Sequence, residues 1–350
     1  MRFFSDKYNF CTLFDSYYLT RGVALYKSLE LYCDNFHLYI FTFDEKSYLI
    51  LEKLNLIHAT IVSLKDFENK DLIRVKPTRT IAEYRWTCTA STIWYSIHKF
   101  NLDHCTYLDA DMLFFSSPRP IFEEIGSNSI GITPHNFSPN LKSSEIYGKY
   151  CVQFNYFKND ADGLIALNWW KNICIEWCYA KMEDDKYGDQ KYLDYFKEKF
   201  NNVCVISHIG AGVAPWNISK YSIESIENII MICLKKKLIE KYPLIFYHFQ
   251  GLKFNDNKDV VIAEPSFLKI PESGLKYIYE PYINQLIATK CSIDGNCMIN
   301  KRIIFQRKLV KSIGIFLRTN LKGYKLVRVI HSLLKKSRYN QPKKIGALIN

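Results

Sequence analysis

Apolar positions in the first hundred residues switch between two periods. Residues 8–14 form a short, nearly unbroken apolar run, the pattern of a buried strand, and residues 19–33 carry Val23, Leu25, Leu29 and Leu31 among the apolar positions of a helix. The same reading predicts strands at 36–43 and 59–64, a short helix at 46–54, a long helix at 80–100, and a strand at 106–108 that runs into Asp109. Strands alternating with helices predict a doubly wound α/β fold around a mostly parallel sheet. The second half is more mixed. Strands are expected at 129–132, 152–157, 203–206 and 244–249, and helices at 164–180 and 189–200. Residues 252–295 lack clear periodicity and read as irregular packing, and 301–336 reads as helix interrupted at Gly314 and Gly323.

Charge changes this picture at one end only. From Met298 to Asn350 there are 14 Lys and Arg and no acid; removing them from the chain's 47 basic residues leaves 33 against 35 acids. The net charge of +12 therefore belongs to the tail, which is not the footprint of a whole-surface nucleic-acid binder. Apolar residues at helical spacing among those cations predict a basic amphipathic helix. Such a helix lies on an anionic membrane surface or packs on the domain with a solvated basic face.

The 11 cysteines are odd in number and sit in apolar runs, which predicts reduced, buried thiols. Cys174 and Cys178, four apart on a helix, read as core rather than as half of a zinc site. No apolar leader follows Met1 and no run of 18 apolar residues occurs, so the expected location is cytoplasmic, peripheral on the inner face of the cell membrane. The 25 Tyr and 23 Phe are spread evenly, which an AT-rich coding bias explains better than ring-stacking surfaces do.

The sharpest chemical signal is Tyr107-Leu108-Asp109-Ala110-Asp111-Met112-Leu113-Phe114. Two carboxylates straddle one small residue where an apolar strand emerges. On an extended segment alternate residues face one side, so both acids can address one cation. A hard divalent ion, Mn²⁺ or Mg²⁺, takes oxygen ligands and neutralises charge on a departing diphosphate. A solvated Asp turn has the same spacing, but acids wedged between apolar neighbours need a partner.

At this motif the chain resembles a glycosyltransferase with the GT-A fold, in the retaining family-eight group that includes bacterial lipopolysaccharide galactosyltransferases and glycogenins. The resemblance covers residues 8–255. It implies a Rossmann-like, mostly parallel sheet flanked by helices, here followed by the C-terminal basic helical extension. Asp109 and Asp111 are the implied metal ligands. In Phe246-Tyr247-His248-Phe249-Gln250-Gly251-Leu252-Lys253 the resemblance assigns His248 to the metal, and Gly251 and Lys253 to the diphosphate. Arg85 is implied to reach the donor, and Thr12, Asp15 and Tyr17 to lie where the family binds base and ribose. Gln153-Phe154-Asn155 is similar to the strand whose Asn, here Asn155, contacts the donor sugar; Tyr156-Phe157 replaces the Ala-Gly that usually follows. Asp189 and Gln190 match the Asp-Gln pair beside the anomeric carbon, although an Asp after Gly188 also reads as a helix N-cap. The loop from His208 to Asn217 reads either as a sugar-binding loop, with Trp216 stacking and Asn217 reading hydroxyls, or as a tight turn closed by a packed Trp.

The expected organisation is a catalytic domain at 1–255, an irregular packing segment at 256–297 and a basic amphipathic tail at 298–350. The expected activity is transfer of a sugar from a nucleotide diphosphate sugar donor, UDP-linked by resemblance, to a glycan or lipid-linked glycan acceptor in cell-surface polysaccharide synthesis. A sugar-nucleotide pyrophosphorylase also combines an α/β sheet with carboxylate-bound metal, but it calls for a Gly-rich loop after the first strand, and residues 14–18 contain no glycine. A basic-tailed module binding membrane or nucleic acid would spread aromatic and basic residues across the body, where none of the excess charge lies.

Overall fold

The computed structural model describes residues 7–236, 240–254, 260–265, 270–295, 302–308 and 343–344. Strand β1 (Tyr8–Phe14) leads through a helix at Leu19–Tyr32 to β2 (Phe36–Thr42), and a helix at Glu45–Leu54 precedes β3 (Ala59–Ser63). After the Ile81–Phe100 helix come β4 (His104–Leu108), β5 (Met112–Phe114), β6 (Ile130–Pro134) and β7 (Tyr150–Lys158). The Ala161–Glu176 helix then precedes β8 (Val203–Val205). Seven of these strands form the central sheet in the order β3-β2-β1-β4-β7-β6-β8. Only β7 runs against its neighbours; the other pairings are parallel. This is the expected α/β arrangement.

Helices cover both faces, which is why the strands are largely apolar on both sides rather than alternating with polar residues. In β1, Phe10 and Phe14 pack with Leu25 and Leu29 of the Leu19–Tyr32 helix, while Cys11 and Leu13 pack with Cys88 and Ile93 of the Ile81–Phe100 helix. In β2, Leu38 and Ile40 join the first core and Tyr39 and Phe41 the second. Local signals set the helix ends. Thr80 and Glu83 form a capping box ahead of Ile81, and Asn101 closes that helix in the left-handed conformation. Asp44 caps the Glu45–Leu54 helix, accepting from Ser47 N–H at 2.7 Å.

Beyond the sheet lie the hairpin strands β9 (Tyr221–Ile226) and β10 (Ile229–Leu234), then β11 (Tyr242–Pro243) and β12 (Phe246–His248). The region expected to be irregular is corrected here. It contains strands Lys253–Phe254 and Val260–Pro265 and a helical run through Glu272–Gly274, Leu275–Tyr279 and Glu280–Asp294. Ile278, Tyr279, Tyr282, Ile283 and Leu286 bury against Tyr247, Phe249 and Leu252, so this segment seals the core beneath β12. Its apolar period is disguised by a π-turn at Leu275–Tyr279, which shifts the helical phase. The tail is corrected over part of its length as well. Arg302–Lys308 is a strand, parallel to Val260–Pro265 and paired on its other edge with Lys343–Lys344. The remaining tail positions expected to be helical lie outside the described residues. Among the described residues no helix is long and apolar enough to cross a membrane, and ten cysteines are free thiols, Cys174 and Cys178 among the buried ones.

Candidate active site

The two aspartates do not sit on one extended segment. β4 ends at Leu108, and Met112 N–H donates to the Asp109 carbonyl at 3.2 Å, closing a turn that carries both acids. β5 then leaves the main sheet and pairs antiparallel with β12, with Met112 opposite His248. Phe249 N–H donates to the Asp111 carbonyl at 2.8 Å. This second small sheet carries His248, distant in sequence, to the side of Asp111. Ligand-capable atoms of Asp109, Asp111 and His248 lie within 4.8 Å of one another. His248 Nε2 is 3.1 Å from Asp111 Oδ1 and 3.6 Å from Asp109 Oδ2.

The electrostatics are those of a site short of positive charge. Burial pushes the Asp109 carboxyl up to about 7, with Asp111 and Asp189 adding to the rise against the His248 imidazole. Burial raises Asp111 too, but its contact with His248 and the nearby Arg21 outweigh this and hold it below the usual carboxylate range. His248 moves up: burial opposes protonation, and the two carboxylates overcome it. Two carboxylates and one imidazole, Asp109 half-buried and the other two buried, converge as a hard or borderline divalent cation requires.

These three residues line a cavity of about 590 Å³ together with Arg85, Asp189, Gln190 and Gly251. Asp189 is buried and its Oδ2 has no hydrogen-bond partner; burial raises its carboxyl to about 7. Its side chain makes no capping bond to the turn that starts at Gln190, so the N-cap reading does not hold. Gln190 lines the cavity while its amide donates to the Tyr147 carbonyl at 2.8 Å. Arg85 pairs with Asp15, which also accepts from the N–H groups of Tyr17 and Tyr18. Gly251 adopts φ +82°, a conformation that favours glycine.

Other expected contacts fall outside the cavity. Thr12 and Asn155 are fully buried within strands, where flanking helices and strands cover both faces. Asp15 is engaged by Arg85, Tyr17 points to solvent, and Lys253 is exposed, so none of the three lines the cavity. In the His208–Asn217 loop, Pro215 and Trp216 reach the cavity, but Asn217 does not read hydroxyls. Its Nδ2 donates to the His135 and Gly212 carbonyls, and its Oδ1 accepts from Ala214 N–H. His208 turns inward to its own loop, its Nδ1 accepting from Gly210 N–H at 3.0 Å.

Four residues that the sequence reading did not single out add aromatic and imidazole rings to the site. Tyr18 and Trp86, close in sequence to the expected Asp15 and Arg85, line the cavity, as does Tyr187 ahead of Gly188. His135 follows β6 at the end of the sheet where ligands bind, a position that could have been found from the strand pattern. It is buried and lines the cavity, its Nδ1 is unpartnered, and burial lowers it to about 3, so it is a neutral imidazole. Its ring stacks on Phe137 at 4.7 Å, and its carbonyl accepts the Trp216 indole N–H at 2.7 Å.

No protein-family model matches the chain. Among solved structures it is similar to the glycosyltransferase GlyE of Streptococcus pneumoniae TIGR4, with a TM-score of 0.37 and 14% identity over 57% of this chain and 45% of that one. Mouse xyloside xylosyltransferase 1 gives a TM-score of 0.37 and 10% identity over 57% of this chain and 84% of its own. Among curated proteins, YfnF of Bacillus subtilis (strain 168), described as uncharacterized, is 32% identical over 252 residues, 70% of this chain and 81% of the relative. YfnD of the same organism, also described as uncharacterized, is 31% identical over 284 residues, 80% of this chain and 88% of the relative. With that identity over most of both lengths, the chain belongs to the family of YfnD and YfnF.

Proposed function

We propose that this protein is a metal-dependent glycosyltransferase that takes a sugar from a nucleotide diphosphate donor, UDP-linked on the motif resemblance, and passes it with retention to a glycan or lipid-linked glycan acceptor in cell-surface polysaccharide synthesis. The observation that carries the reading is the convergence of Asp109, Asp111 and His248 in the same cavity as Asp189 and Gln190. Mn²⁺ or Mg²⁺ held by those three side chains would supply Lewis-acid neutralisation of the diphosphate leaving group. The protein's other residues bind and orient. Arg85 adds positive charge to the cavity, and Tyr18, Trp86 and Trp216 offer flat faces on which rings stack. On this reading Asp189, whose Oδ2 has no hydrogen-bond partner, would hold a sugar hydroxyl, and Gln190 would stabilise developing positive charge at the anomeric carbon.

A thermal-shift screen of nucleotide sugars with and without Mn²⁺ tests the reading. A donor that stabilises the protein only with the cation supports it, and no response to any donor counts against it. His248→Ala is expected to weaken Mn²⁺ and nucleotide binding together, by more than the roughly 10–100-fold that loss of an outer partner costs. Calorimetry showing both affinities unchanged would return His248 to a structural role.

The reading includes a peripheral membrane contact through the tail, supported by its 14 cations and absence of acids. At about 1 kcal/mol per Lys or Arg near an anionic surface, a few contacts suffice for binding. The intact protein is expected to sediment with phosphatidylserine-containing vesicles at low salt and to release as salt rises. Failure to sediment at low salt removes the membrane contact and leaves the metal reading as it stands.

A further inference from the structure

One residue is bonded to two of the three converging residues, to one through its main chain and to the other through its side chain. Gln153, in β7, is fully buried. Its main-chain carbonyl accepts from Asp109 N–H at 3.2 Å, and its side-chain Oε1 lies 3.1 Å from His248 Nδ1. The opposite ring nitrogen, Nε2, is the one that faces Asp111 and Asp109. The imidazole is also held edge-on by Trp216, with ring centroids 5.4 Å apart at 89°. Space around Gln153 is restricted: a Cβ on Gly212 would lie 3.1 Å from Gln153 Nε2 and 2.9 Å from Thr133 Cγ2, and Gly212 itself has φ +74°.

We infer that Gln153 is the positioning residue of the metal-ligand set, fixing the tautomer and ring orientation of His248 while its main chain holds Asp109. The inference rests on the metal reading proposed above. A histidine ligates through a nitrogen lone pair, so its other nitrogen must carry the proton, and that N–H needs an acceptor. The Gln153 amide oxygen is that acceptor. With a cation bound it would leave the Nε2 lone pair free on the side of the carboxylates, and it prevents the ring from turning its N–H towards them. A buried amide suits this task because it accepts without adding a third negative charge beside Asp109 and Asp111.

The test uses the full-length protein, Mn²⁺ calorimetry, and ¹⁵N-resolved histidine spectra of the diamagnetic Mg²⁺ form. In the unmodified protein with Mg²⁺, His248 is expected to carry its proton on Nδ1. Gln153→Leu removes the acceptor and is expected to lower Mn²⁺ affinity by about 10–100-fold. Gln153→Glu keeps an acceptor and is expected to keep most of that affinity, whereas Gln153→Met, of similar length but without that oxygen, is expected to lose it as Leu does, a difference that a purely space-filling role would not produce. If Gln153→Leu does not fold, the spectrum of the unmodified protein and the Gln153→Glu affinity decide the matter. A proton on Nε2 of metal-bound His248 overturns the inference, as does a Gln153→Glu variant whose affinity falls as far as that expected for Leu. Normal Mn²⁺ binding by Gln153→Leu overturns this inference alone, whereas no Mn²⁺ binding by the unmodified protein overturns the metal reading itself.

Discussion

Replacing Asp109 or Asp111 by Asn is expected to lower sugar transfer by about 10³-fold or more while leaving a folded protein. The fold should survive because Asn keeps the contacts that the structure shows. The Tyr107 hydroxyl donates to Asp109 Oδ1 at 3.1 Å, and an amide oxygen accepts that bond equally well. The Asp111 main chain, which pairs with Phe249, is untouched by the change. What is lost is negative charge where a cation would be held, and a buried and a half-buried carboxylate have no other evident reason to share one turn. EDTA should give the same loss in the unmodified protein, and added Mn²⁺ should restore it. The measurements are transfer rate, melting temperature and Mn²⁺ affinity on each variant. Full activity in EDTA or in either variant would remove the metal from the mechanism.

The sheet was legible in the sequence because both of its faces are covered. Strands such as Tyr8–Phe14 and Phe36–Thr42 are buried along nearly their whole length, and the resulting apolar runs stand out from the helices between them. Capping signals sharpened the ends, as at Thr80 and Glu83. The helical run from Glu272 to Asp294 was hidden because its π-turn breaks the period on which recognition depends. Arg302–Lys308 was misread for a different reason. Arg302, Ile303, Ile304, Phe305, Gln306, Arg307 and Lys308 neither alternate strictly nor repeat at 3.6, and the strand forms by pairing with Val260–Pro265, far away in sequence.

In the site, the residues that were legible are those whose type states their chemistry. Asp109 and Asp111 are two carboxylates where an apolar strand ends; His248, Asp189 and Gln190, which share their cavity, came from the resemblance. Landmark order placed Arg85 and Gly251 in the cavity as well, but not every residue expected from it lies there. Thr12 and Asn155 belong to strands that reach the site, yet a one-residue difference in register decides whether a strand side chain faces a cavity or the core. Gln153 could not be read at all, since its role depends on the juxtaposition of β7 with β12.

Asp189→Asn is expected to move activity and stability in opposite directions. The Asp189 carboxyl is buried, with its pKa raised to about 7 by that burial against an ordinary value near 3.9. A folded-state pKa above the unfolded one means that the native state binds the proton more tightly. Stability is therefore greatest below about pH 4, where both states are protonated, and falls as pH rises through 7. At pH 8 the tighter native proton binding translates into a loss of roughly 4 kcal/mol. Asn carries no charge and escapes that cost, so in EDTA the variant should melt above the unmodified protein at pH 8, with the difference vanishing near pH 4. Turnover should meanwhile fall by about 10²–10³-fold with donor affinity nearly unchanged, because an interaction made chiefly in the transition state is lost. A helix cap would behave otherwise: removing it lowers the melting temperature at neutral pH and spares the activity of the protein that remains folded. Melting curves across pH in EDTA, paired with kcat and donor Kd in Mn²⁺, separate the two. A variant that is less stable at pH 8 yet fully active would place Asp189 outside the chemistry, and no structural rearrangement is needed for the expected result, since the Asp189 carbonyl that holds the Trp170 indole at 3.0 Å belongs to the main chain.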